Sequence, residues 1–309
     1  MICHWDDVAP FEIRLQNLRG SYRRLGTAAG AARLGLSRWD IGPGDRAVSQ
    51  HVHADEEEFF IVLAGSGLAI ENGASHEIAA GDVLFYAAGG VAHTMVAGAS
   101  GLDVLAFGSG SDAGLVYLPR AVAMWAGTRW LPLDGPNPFK LEDAAGPLEV
   151  PEPGPRSSST IAISEVAQQS IRRGDVARDA RKLGEALGAH RSGLSEIRVD
   201  PTMRSNPPHC HSGEDELFVI LEGDGLLELL HPDRGLETHP VAAGHVISLP
   251  AGTATAHSFV AGDAGLVLLA HSTKDPSDIT FLPRSQKIHI RGLRAVMRVN
   301  QVDFWDGEE

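Results

Sequence analysis

The sequence predicts an all-β fold made of two tandem β-barrels. Three observations carry that expectation: the chain repeats itself, its apolar runs are short and rich in aromatic and β-branched residues, and turn formers are abundant. His51-Val52-His53 recurs 158 residues later as His209-Cys210-His211. Glu58, Gly65 and Gly35-Leu36-Ser37 recur at that offset as Glu216, Gly223 and Gly193-Leu194-Ser195. A long constant period marks two copies of one structural unit. Glu58-Phe59-Phe60-Ile61-Val62-Leu63 and Glu216-Leu217-Phe218-Val219-Ile220-Leu221 read as core strands, expected to end at the glycine turns Ala64-Gly65-Ser66-Gly67 and Glu222-Gly223-Asp224-Gly225. The 35 glycines and 18 prolines point to many short strands rather than long helices.

Further along, the offset grows to 163 for Gly81 and Gly244. It reaches 164 for His93 and His257, and for Leu118-Pro119-Arg120 and Leu282-Pro283-Arg284. The second copy therefore carries an insertion of about five residues, best placed in the turn-rich stretch 230–235. Residues 136–160 hold six prolines and the run Ser157-Ser158-Ser159, which predicts an extended linker. The expected organisation is an N-terminal domain over 1–135, that linker, and a C-terminal domain over 161–309. A helix is expected at 176–187, where Val176, Ala180, Leu183 and Leu187 recur at helical spacing.

The 309 residues suffice for two domains that fold without disulfides. A formal net charge of −14 argues against nucleic acid or an anionic membrane as partner. Cys3 and Cys210 make no disulfide framework, the N-terminus lacks the pattern of a signal peptide, and no apolar stretch is long enough to span a bilayer. The expectation is a cytoplasmic protein with a small-molecule substrate, homo-oligomerisation being left open.

The chemistry is expected at the histidines. Residues two apart in a strand share a face, so His51 and His53 point into one space, as do His209 and His211, while Val52 and Cys210 point away. Cys210 is expected to be a small buried apolar residue. A glutamate heads the next core strand in each copy, where an unpaired charge would cost several kcal/mol. Glu57 and Glu58 both suit the position by distance. Glu58 is preferred because six residues then separate it from Gly65, as six separate Glu216 from Gly223. His93 and His257 arrive after further turns. Three neutral imidazoles and one carboxylate suit a divalent transition metal: Fe(II) or Mn(II) by preference, with Ni(II), Cu(II) or Zn(II) also compatible. Four protein ligands on an ion that prefers six leave two positions for substrate or dioxygen, the arrangement of a reaction centre.

These residues resemble the cupin superfamily. Its first motif, HxH, a short gap, Glu, six residues and Gly, matches His51, His53, Glu58, Gly65 and again His209, His211, Glu216, Gly223. Its second motif matches Gly244, Pro250, Gly252, His257, and Gly81, Ala88, Gly90, His93, with alanine in the proline's place. The resemblance covers about residues 30–120 and 188–284. It implies a bicupin: two double-stranded β-helix (jelly-roll) barrels, each with up to one metal held by His51, His53, Glu58 and His93, or by His209, His211, Glu216 and His257. The four-residue gap before each glutamate is similar to that of quercetinase-like dioxygenases. That favours a metal-dependent dioxygenase on a small aromatic or enediol-like substrate, with Glu58 or Glu216 detaching as general base. A metal-dependent isomerase or decarboxylase, or a non-catalytic binding cupin, is the alternative.

Other residues carry weaker expectations. Asp55, Glu56 and Glu57 are expected to form a solvated turn around the ligand glutamate. Arg120 and Arg284 suit a clamp on an acidic substrate, but a structural ion pair is the preferred reading. Trp5, Trp39, Trp125, Trp130 and Trp305 are expected mainly in packing. The remaining histidines (4, 76, 190, 231, 239, 245, 271 and 289) have no partner at ligand spacing.

Overall fold

The computed structural model describes residues 2–109, 114–127, 129–131 and 138–308. Of the residues named above, Pro136 lies outside that set, as do the side chains of Trp130 and Pro138. Each half is an eight-stranded antiparallel sheet with a four-stranded one. In the first half the long strands Glu58–Glu71 and His93–Gly108 pair at the centre, flanked by Asp82–Tyr86 and Gly35–Ile41. Glu216–His231, Ala256–Thr273, His245–Leu249 and Ser192–Val199 repeat the arrangement. The short strands Val52–His53 and Cys210–His211 open the two four-stranded sheets.

The apolar runs are continuous because both faces of these strands are buried. Phe60 and Val62 point into the first barrel, and Phe218 and Ile220 into the second. Phe59, Ile61, Leu217 and Val219 point the other way, into one core shared by both halves. Truncating such a side chain, Phe59→Ala for example, costs about 3–5 kcal/mol.

The long strands do not end at their glycines. They pass through a register shift at 62–67 and 220–225 and continue to Glu71 and His231. Gly65 (φ +85°) and Gly223 (φ +79°) sit where a Cβ would lie 2.0 and 2.1 Å from the carbonyl oxygens of Gly101 and Gly265. The glycines thus permit a bulge with close backbone approach rather than a terminating turn.

The insertion in the second copy lengthens a hairpin. Its arms are Glu216–His231 and Gly235–Ala242, against Glu58–Glu71 and Ala74–Ala79 in the first copy. The helix expected at 176–187 is instead the strand Val176–Arg181 followed by the short helix Leu183–Ala186. Pairing on both edges, with Gln168–Arg173 and Ser192–Val199, outweighs an apolar spacing that burial in two places also satisfies: Ala180 packs in the second barrel, Leu183 and Leu187 in the shared core.

Residues 136–160 are not a free linker where described. Helix Pro138–Ala144 brings in Glu142, fully buried, which accepts from Arg46 at 2.8 Å and lies 3.4 Å from Arg120. Gly154 then donates to the Ser75 carbonyl at 2.7 Å. Thr160–Ala162 completes the N-terminal sheet by pairing with Asp82–Tyr86. Reciprocally, Ile2–His4 pairs with His245–Leu249 of the C-terminal sheet. Each half therefore receives an edge strand that leads into the other. Among the described residues no helix is long and apolar enough to cross a membrane.

Candidate metal centres

The two-residue strands place both imidazoles of each HxH pair on one face. A backbone bridge joins the first of each pair to the distant histidine: His51 with His93 (N···O 3.1 and 2.9 Å) and His209 with His257 (3.2 and 2.8 Å). The glutamate enters from the head of the long strand. In the first barrel Glu58 Oε2 lies 3.1 Å from His51 Nε2, 3.3 Å from His53 Nε2 and 3.0 Å from His93 Nε2. In the second, Glu216 Oε2 lies 3.0 Å from His257 Nε2 and 3.5 Å from His211 Nε2. His209 offers a nitrogen within 4.8 Å of donor atoms from both Glu216 and His257.

These separations fit an ion held among the donors. Ligands about 2.1 Å from a metal and at right angles to one another lie about 3.0 Å apart. The ring orientations agree. His51 and His93 donate from Nδ1 to the carbonyls of Ser49 (2.8 Å) and Val91 (3.0 Å), and His209 to that of Pro207 (2.9 Å). In a neutral ring with that tautomer, Nε2 presents a lone pair to the carboxylate, a repulsive contact that a cation between them relieves. Glu216 Oε2 and His257 Nε2 are buried and make no hydrogen bond, although they lie 3.0 Å apart.

The electrostatics are those of crowded, dry sites. Burial raises the carboxyls of Glu58 and Glu216, but the adjacent imidazoles win: Glu58 falls well below the usual range and Glu216 falls to about 2. Burial would lower His53, yet Glu58, then Glu56 and Asp55, push it up to about 9. Burial, with His257 beside it, takes His209 down to about 4, and His93 is lowered by burial and by His51.

The two centres differ behind the donors. At the second, His211 Nδ1 lies 2.8 Å from Asp278 Oδ2, a fully buried carboxylate that also accepts from the Gly213 N–H at 2.9 Å. Glu214 completes a group with His211 and Asp278. Arg291 donates to Glu214, and burial pushes this carboxyl up to about 7 against Arg291 and His211. Because Asp278 and Glu214 already hold these cationic and N–H donors, they read as supports of His211. At the first centre, Tyr86 stacks on His93 with centroids 3.6 Å apart and donates to Glu71 at 3.1 Å. Ser157 and Ser159 also donate to Glu71. Leu249 and Leu229 take the places of Tyr86 and Glu71 in the second barrel, at offsets of 163 and 158. A cavity of about 170 Å³ opens beside His211, Glu216 and His257, walled by Leu229, Leu249 and Pro250.

Sequence reasoning missed Glu214, Asp278 and Tyr86. Asp278 precedes the strand Ile279–Leu282, 67 residues beyond His211, and carries no local signal. The solvated turn expected at 55–57 is corrected: Asp55 and Glu56 are half-buried and Glu57 is buried, because its carboxylate accepts from the other half of the molecule. Arg120 pairs with Glu142 and Arg284 with Asp175, so both make structural ion pairs. Trp5 packs against the shared core and Trp39 against the first barrel, whereas Trp305 is exposed. Cys210 is buried.

Two double-sheet barrels in tandem, each with three histidines and a glutamate at its mouth, define a bicupin. The family models agree: "Cupin domain" matches residues 37–105 and "Cupin" matches residues 190–300. The chain belongs to the cupin superfamily. Among solved structures it is similar to oxalate decarboxylase from Bacillus subtilis. The form determined at pH 4.6 has 16% identity and a TM-score of 0.63, over 89% of this chain and 76% of that one. A two-residue deletion variant has 16% identity and a TM-score of 0.62, over 89% and 77%. A structure from a study of the Mn(II) centres of that enzyme has 17% identity and a TM-score of 0.60, over 90% and 78%. At this identity the likeness concerns the fold. No curated protein sequence matches the chain.

Proposed function

We propose that this bicupin is a metal-dependent enzyme that decarboxylates a small carboxylic acid. Each centre would hold Mn(II) or Fe(II) through His51, His53, Glu58 and His93, or through His209, His211, Glu216 and His257. The single observation behind the size of the substrate is the cavity at the second centre. At about 170 Å³ it is well below the roughly 300–1,000 Å³ of sites for drug-sized ligands. It suits a short-chain acid better than the small aromatic substrate that the gap before the glutamate implies. The oxalate decarboxylase fold likeness points the same way.

When bound, the metal supplies Lewis acidity and open coordination positions. The protein supplies the rest. Carbonyls and Asp278 hold the imidazole tautomers, and Leu229, Leu249 and Pro250 exclude water from one side. Glu214 lines the cavity and, with Asp278, supports His211. The four-residue gap before Glu58 and Glu216 favours a second reading, a dioxygenase. One assay separates the two. Mn(II)-loaded protein given a panel of short-chain dicarboxylic and hydroxy acids is expected to release CO₂ without matching O₂ consumption, and His209→Ala to abolish it. Stoichiometric oxygen uptake, or no turnover of any acid, would overturn decarboxylation.

A further inference from the structure

The residue before each candidate ligand glutamate is an acid anchored in the opposite half. Glu57 Oε1 accepts from the His190 N–H at 3.0 Å. Glu57 Oε2 accepts from the N–H groups of Arg191 (3.1 Å) and Ser192 (3.0 Å) and from the Ser192 hydroxyl (2.9 Å). The Arg191 guanidinium donates to the Asp55 carbonyl at 2.8 Å. The second copy mirrors this with different chemistry. Arg33 of the N-terminal half donates to Asp215 Oδ2 through Nε at 3.0 Å and to Oδ1 at 2.8 Å, and to the Gly213 carbonyl at 2.7 Å. Asp215 also accepts from the Ala251 N–H at 2.8 Å. Glu57 and Asp215 are both buried.

Strand alternation turns this clamp into a positioning device. Glu57, Phe59 and Ile61 face the shared core, while Glu58, Phe60 and Val62 face the barrel interior. Fixing the Glu57 carboxylate from across the interface therefore fixes the backbone from which Glu58 reaches inward. The same alternation relates Asp215 to Glu216.

We infer that each barrel positions the metal carboxylate of the other: Arg33 acts across the interface on Glu216, and the turn 190–192 acts through Glu57 on Glu58. Arg33, Glu57 and Asp215 are positioning residues. This rests on the reading of Glu58 and Glu216 as metal ligands. Outer-sphere partners bonded directly to a ligand are worth about 10–100-fold in metal affinity, and partners acting one residue away are expected at the lower end of that range.

The test is made on the full chain, with Mn(II) alone as the probe. Each centre is read separately in a background where the other is disabled, by His51→Ala or by His209→Ala. Arg33→Gln is expected to weaken Mn(II) at the C-terminal centre about tenfold and to alter its electron paramagnetic resonance spectrum. The N-terminal centre, in the same half as Arg33, should stay within about twofold of its starting affinity. Glu57→Gln should do the reverse. Arg33→Lys, which keeps the charge but loses the two-pronged contact, should fall between, and it serves if Arg33→Gln does not fold. Equal weakening of both centres, or a lowered melting temperature with both affinities unchanged, would overturn the proposal. If neither histidine variant removes a binding site, the ligand reading itself fails, and that result is distinct.

Discussion

His271 shows how one residue can tie pH to stability away from the donors. Its ring lies between Gly193 and Gly108, with Nδ1 2.9 Å and Nε2 3.3 Å from their carbonyl oxygens, so it touches both halves at once. It is fully buried, and burial takes it down to about 4 despite those carbonyls and nearby Glu57. The unfolded chain binds this proton near pH 6.5 and the folded chain does not. Stability from His271 is therefore complete above pH 6.5 and is lost as pH falls from 6.5 towards 4, on the order of 3 kcal/mol in all. The first copy carries Phe107 at the equivalent place, 5.3 Å away centroid to centroid. His271→Phe should then flatten this loss, measured by urea unfolding at pH 7 and pH 4.5. A variant as acid-sensitive as the parent would refute the assignment. The residue was invisible in the sequence because it has no partner at ligand spacing and its carbonyl contacts lie 78 and 163 residues away. The histidines and glutamates that converge in each barrel were legible for the opposite reason. Their alternation is local and their offset repeats, so two copies vouch for one another.

At the scale of elements, the long bent strands were half legible. Their apolar runs announced them, but Gly65 and Gly223 read as stops, since a sequence does not show what a missing Cβ would strike. Gly223→Ala should destabilise the chain by at least about 2 kcal/mol, from left-handed backbone and the clash with Gly265. Thermal unfolding would measure it. A melting temperature unchanged by the substitution would mean that the bulge can relax, and the close approach would lose its significance. The helix expected at 176–187 failed for a related reason. Spacing of apolar residues reports which side chains are covered, and a strand that runs into a short helix can cover the same ones.

For the molecule as a whole, the repeat predicted two barrels, but nothing in it predicted that they would share a core and trade edge strands. Cross-half contacts such as Ile2 with Ile247 span most of the chain, beyond the reach of local pattern. A chain lacking residues 1–7 should keep its N-terminal barrel and lose amide protection at His245–Leu249, the strand that Ile2–His4 covers. Hydrogen exchange with mass spectrometry reads this directly. Undiminished protection there would show that the edge strand is dispensable.

The exchanged strands also set an order on biosynthesis. The first barrel cannot close its sheet until Thr160–Ala162 has left the ribosome, so its completion waits for the start of the second copy. Ile2–His4 is translated well before His245–Leu249, the strand on which it docks. Residues 2–4 therefore dock late relative to their own synthesis. Until then the segment that carries Cys3 lacks its strand partner.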